Sequence, residues 1–190
     1  MRCRMTRNNQ LATCCRIMSW EVPREFKSHR CVTASKKLDH DIEVVWALVS
    51  SPGNLLECHP FCRSNEAIEW GDGSFSDVLT YLNGRRYVRR FRQWRPREGY
   101  DLVIGEEGGK QSFVRWELNE AGNRSTELRI TVYPYLLSGL PRIISAIPFS
   151  IYARPKLTTY LRSVLRGFEY FLDNGERVPR NYFGSHSWFS

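Results

Sequence analysis

Residues 155–174, PKLTTYLRSVLRGFEYFLDN, form the longest stretch of this chain with an unbroken helical period. On a 3.6-residue helix Leu157, Leu161, Val164, Leu165, Phe168 and Leu172 fall on one side, flanked by Tyr160 and Phe171, with Arg162, Arg166, Glu169 and Asp173 opposite. Pro155 suits a first turn, where its missing N–H is no loss, and Gly175 stands where a C′ residue belongs. Burying the apolar stripe at roughly 2 kcal/mol per residue contributes on the order of 10 kcal/mol before entropy, more than helix propensity supplies. The helix therefore needs a partner surface, which the chain upstream has to provide.

That surface is a predicted β-meander over 62–133. Strands are expected at 62–70, 74–82, 85–95, 100–106, 111–119 and 125–133, separated by Gly71-Asp72-Gly73, Asn83-Gly84, 96–99, Gly108-Gly109 and 121–123. Asn83-Gly84 is the strongest turn signal and predicts a type I′ hairpin, with positive φ at both central residues. The links are too short for crossover helices, so the sheet must be antiparallel. Its dry face shows best where Leu128, Ile130 and Val132 alternate with Glu127, Arg129 and Thr131, beside Val114, Trp116 and Leu118. Upstream, 24–38 predicts an edge strand and 41–50 a short helix with Asp39 or Asp41 as N-cap; residues 54–57 predict a second, ended by the extended exit His59-Pro60. Between sheet and long helix, 134–154 is rich in Leu and Ile and cut by prolines, and is expected as a packed loop with one short helix, a lid over one end of the sheet, in preference to a membrane-dipping segment.

A chain of 190 residues, 42% hydrophobic and 25% charged, fits one soluble domain, and the sequence shows neither a membrane span nor a secretory signal. A cytoplasmic location is expected, although the first residues also resemble an organelle transit peptide. The six cysteines are irregularly spaced and are expected as free thiols. Of the net charge of +8, residues 1–38 supply +7, leaving the globular part nearly neutral and any nucleic-acid footprint on the N-terminal arm. The expected organisation is a basic flexible leader at 1–23, a domain at 24–175 and an aromatic tail at 176–190. Tyr182, Phe183, Trp188 and Phe189 in that tail are expected to fold back on the domain or to pair with a second copy.

The order strand, two short helices, meander, loop, long helix resembles the helix-grip fold of the START-like SRPBCC superfamily. Within it the chain looks most like the polyketide cyclase/dehydrase and lipid-transport branch. The resemblance runs from about Arg24 to Asp173, and rests on DIEVVWALVSSPGNL followed by HPFC, on Trp70-Gly71-Asp72-Gly73, on STELRITVYPY and on RPKLTTYLRSVLRGFEYFLDN. It implies an α+β fold, in which a curved antiparallel sheet of about seven strands wraps the C-terminal helix around an apolar cavity. The scaffold says little about function.

Two residues bear on such a cavity. Gly167 interrupts the long helix beside Tyr160, at about 1 kcal/mol relative to Ala, which fits either close packing or ligand-sized room. If the face bearing Tyr87, Arg89, Phe91 and Gln93 turns inward, Arg89 needs an anionic partner. The alternatives are a salt bridge to Asp77, Asp101 or Glu117, solvent at the cavity mouth, or the polar end of a ligand lying among Tyr81, Tyr87, Phe91, Trp116, Tyr160, Val164, Gly167 and Phe168. The expected function is binding of a hydrophobic small molecule or lipid. The alternatives are a cyclase or dehydratase in the same cavity, and an interaction module with a filled cavity.

No catalytic residue, metal or cofactor is assigned. Cys58, His59 and Cys62 lack a fourth zinc ligand, and 105–110 reads as a hairpin and not as a phosphate cradle. The regular alternation of 85–97 argues against a nucleic-acid track. Asp77, Asp101 and Glu117 serve acid–base chemistry only if inward and perturbed. His29, His40, His59 and His186 are all expected outside the cavity wall, which tilts the reading to binding.

Overall fold

The computed structural model describes residues 21–136, 139 and 141–190; the leader expected at 1–23 lies almost wholly outside them. After a 3₁₀ turn at Arg24–Phe26 come β1 (Val32–Leu38), α1 (Ile42–Val49), α2 (Asn54–Cys58), β2 (Cys62–Gly71), β3 (Ser74–Tyr81) and β4 (Arg86–Arg95). β5 (Gly99–Gly105), β6 (Gln111–Glu120), β7 (Thr126–Tyr133), α3 (Arg142–Pro148), a π-helical turn (Phe149–Ala153) and α4 (Arg154–Asn174) complete the chain. The seven strands form one antiparallel sheet in the order β1-β7-β6-β5-β4-β3-β2, so β1 closes the meander by pairing with the last strand.

Alternation decides which side chains face α4. Leu128, Ile130, Val114, Trp116 and Leu102 are buried together with Leu157, Leu161, Val164, Leu165 and Phe168 in one core cluster. On the other side of the sheet Phe113 and Val103 are covered by Phe26, which stacks on Phe113 at 5.4 Å. That second cover explains why β5 is dry on both faces. Lys36–Glu169 at 3.0 Å and His40–Asp173 at 2.9 Å pin the end of α4 to the β1 side. Gly175 caps α4 in the left-handed region, its N–H donating to Phe171 O.

Three local expectations change. The type I′ geometry sits at Asp72-Gly73, both with positive φ between the paired Gly71 and Ser74; the Asn83-Gly84 hairpin has a three-residue loop with only Gly84 at positive φ. Asp41 stands at the N-cap of α1, but its side chain makes no capping bond and faces Arg124 at 3.5 Å. The one short helix expected in 134–154 is α3, but 142–153 are helical throughout and run without a break into α4, so the prolines at 148 and 155 widen or begin helical turns where packed loop is expected.

Candidate functional site

Sheet and α4 do not meet everywhere, and the gap is a cavity of about 380 Å³. Leu79, Leu102, Val114, Ile130 and Val132 project into it from four strands, and Leu157, Leu161 and Val164 from α4. Arg85, Leu136 and Tyr152 line it and are also exposed, so they mark where it opens. The C-terminal tail closes one side. Phe189 stacks on Tyr81 at 4.4 Å, and the Trp188 carbonyl accepts a hydrogen bond from Asn83 Nδ2 at 2.6 Å.

The polar part of the wall is a chain of paired groups. The Phe61 N–H donates to His59 Nδ1 at 3.1 Å, which leaves the ring hydrogen on Nε2 to donate to Tyr160 Oη at 2.9 Å. Tyr160 Oη lies 3.1 Å from Tyr81 Oη. Burial, aided by the nearby Arg89 charge, depresses His59 to about 3, so the imidazole is neutral. Burial also raises the Tyr81 and Tyr160 phenols, which stay protonated. Tyr87 is pushed up to about 12 by burial and by a hydrogen bond with Tyr135.

Arg89 reaches the cavity with its charge already balanced. Asp77 is its register partner on β3; Nε donates to Oδ1 at 2.7 Å and Nη2 to Oδ2, with both side chains buried. Of the alternatives foreseen for this guanidinium, the structure has the salt bridge to Asp77. Asp101 is likewise held by Arg115 at 2.8 Å, and neither carboxylate lines the cavity. Four further arginines of β4 and its turn pair outward: Arg90 with Glu107, Arg92 with Glu25, Arg95 with Glu98 and Arg97 with Glu43.

Tyr81, Tyr87, Arg89, Trp116, Tyr160 and Val164 share the cavity wall, whereas Phe91, Gly167 and Phe168 do not. Phe91 turns into an aromatic group with Trp94 and Tyr100, at 5.3 and 4.9 Å, beside the bulge between Phe91 and Gln93. Phe168 packs behind Trp116, edge to face at 5.3 Å. A Cβ at Gly167 would overlap the Cys58 carbonyl oxygen, so close packing explains that glycine. His59 is the main correction, since it was expected outside the wall and is buried on it. Arg85, Tyr152 and the tail pair Trp188–Phe189 also belong to the wall and were not foreseen. Aromatic richness in 178–190 was the available signal for the tail.

A family model described as polyketide cyclase / dehydrase and lipid transport matches residues 29–149. No curated protein matches the sequence. Among solved structures, DynU16, a putative protein in the dynemicin biosynthetic locus, superposes with a TM-score of 0.59 at 15% identity; the match covers 77% of this chain and 48% of that one. This chain thus spans about half the length of DynU16. MLL2253 from Mesorhizobium loti gives 0.56 at 14%, covering 77% and 99%. The Zhui aromatase/cyclase from Streptomyces sp. R1128 gives 0.55 at 16%, covering 78% and 99%. At these identities the likeness is one of fold.

Proposed function

The chain belongs to the polyketide cyclase/dehydrase and lipid transport family, and we propose that it binds an apolar small molecule in the cavity between sheet and α4 as a carrier or sequestering protein. A cavity of about 380 Å³ is within the range of ligand pockets, which favours an occupant over a filled core. One observation carries the choice of binding over chemistry: the buried polar groups of the wall already have partners, His59 with Tyr160, Tyr160 with Tyr81, and Arg89 with Asp77 behind it. No carboxylate is among the described lining residues. His59, held at about 3, is too weak a base for proton abstraction near neutral pH. The phenols of Tyr81 and Tyr160 and the exposed guanidinium of Arg85 remain as recognition groups for a carbonyl, hydroxyl or carboxylate on the ligand.

The test is titration with a soluble fluorescent fatty acid, alongside native mass spectrometry of the purified protein. Val164→Trp places an indole in the cavity, so the probe affinity should fall at least about tenfold while the fold is kept, a loss of roughly 1.4 kcal/mol. Equal affinity in the two proteins removes the cavity from the function. A cyclase or dehydratase reading is favoured by one feature, the His59–Tyr160 hydrogen bond on the wall, which can polarise a substrate carbonyl. Turnover of a poly-β-ketone that is lost in Tyr160→Phe would decide for that reading.

A further inference from the structure

Helix α3 and the π-helical turn are built inside out. Ser145, Phe149 and Ala153, four residues apart, face the protein and are buried. The next face carries Ile143, Ile147 and Ile151 at the same spacing, and these are 89%, 69% and 75% exposed, with Ile144 and Tyr152 exposed beside them. Single exposed isoleucines are ordinary, but a row of them on one helical face is an apolar patch that water disfavours. Tyr152 directly follows Ile151 and, like the exposed Leu136, also lines the cavity, so the row borders the opening.

The charge around the patch points to its occupant. From Tyr133 to Phe168 the sequence contains no Asp or Glu, while Arg142, Arg154, Lys156, Arg162 and Arg166 fall within it. Arg154 is exposed one turn beyond Ile151, Lys156 lies over the Tyr152 ring at 4.6 Å, and Arg85 is exposed at the opening. Apolar residues flanked by Arg154 and Lys156, in a stretch of sequence without acids, match the boundary of an anionic bilayer, where the apolar face enters the headgroup layer and the cations meet phosphates. A second copy fits less well, because an isologous contact would bring Arg154 and Lys156 of the two copies side by side. No helix among the described residues is long and apolar enough to cross a membrane, so the segment would lie on the surface.

We propose that Ile143, Ile144, Ile147, Ile151 and Tyr152 dock the protein on an anionic lipid bilayer, holding the cavity opening against the membrane. The docking stands on its own; that an apolar ligand exchanges between bilayer and cavity through this contact rests on the binding function proposed above.

Co-sedimentation of the full chain with vesicles of phosphatidylcholine, alone or with about a quarter phosphatidylglycerol, reads the docking directly. The expected result is binding to the anionic vesicles that weakens with added salt, and a drop of at least about tenfold for Ile147→Glu/Ile151→Glu. Both positions are exposed, so the melting temperature should hold; Ile143→Ser/Ile147→Ser repeats the comparison if the charged pair disturbs folding. Equal sedimentation of wild type and variants overturns the proposal, as does absence of wild-type binding to the anionic vesicles. A wild type that dimerises, becomes monomeric in the variant and ignores vesicles would assign the face to a second copy and also overturn it. Val164→Trp should still bind vesicles, which separates failure of the cavity reading from failure of the docking.

Discussion

Acidification should weaken this fold through His59, by an amount that can be worked out. In the unfolded chain the imidazole titrates near 6.5, and in the folded one near 3, because burial and the Arg89 charge oppose the cation. Between those values the unfolded state holds a proton that the folded state lacks. The stabilising contribution is therefore complete above pH 6.5 and is lost as pH falls toward 3, at about 1.4 kcal/mol per pH unit. By pH 4.5 the loss is about 3 kcal/mol, a large part of the stability of a domain this size. His59→Gln keeps a donor for Tyr160 and cannot titrate. At pH 7.5 it should cost roughly 1–3 kcal/mol, since the Phe61 N–H loses its acceptor. Urea unfolding of both proteins at pH 7.5, 6, 5 and 4.5 reads the difference, in which His186 and the carboxylates cancel. The wild-type advantage should shrink by about 3 kcal/mol over this range, until the curves meet or cross. A difference constant to within about 0.5 kcal/mol would falsify the placement of a neutral His59 in the wall.

Asp77→Asn leaves the Arg89 guanidinium buried without its counter-charge and should cost about 3–5 kcal/mol, while Asp77→Leu/Arg89→Met should recover most of that loss in thermal unfolding. A single-substitution loss below about 1 kcal/mol would mean the pair is solvated. Gly167→Ala should destabilise by about 1–3 kcal/mol, roughly 2–12 °C in melting temperature, despite the gain in helix propensity. An increase in melting temperature would show that α2 and α4 are not clamped there.

Most of the meander was legible because its turns are short and its side chains alternate. Period two alone puts Tyr81, Tyr87, Trp116 and Val114 on the face that becomes the wall. Phe91 follows the same alternation in sequence, but the bulge after it and the neighbouring Trp94 and Tyr100 draw it into a different cluster. His59 could not be read because its environment is not local: Tyr160 is 101 residues away, and nothing in His-Pro-Phe-Cys signals that the ring turns inward. The isoleucines of 143–151 mislead in the opposite sense. Their composition reads as packed interior, and only the burial of Ser145, Phe149 and Ala153 shows that the apolar face looks out.

The two halves of α4 do different things, and α2 is the reason. Gly167 has no side chain, so the helix can lie directly against the Cys58 carbonyl, and the next residue, His59, is thereby carried to Tyr160. Gly167 and Tyr160 are two turns apart, about 10 Å along the axis, so a clamp at one fixes the spacing at the other. From Val164 back to Leu157 the helix faces the cavity, with Phe189 of the tail against the Tyr160 ring at 4.5 Å. A methyl group at Gly167 should therefore act at a distance, by lifting α4 from α2 and loosening the His59–Tyr160 bond. Loss of probe affinity in Gly167→Ala beyond what its lowered stability explains would be the mark of that coupling, although Gly167 itself touches no ligand space.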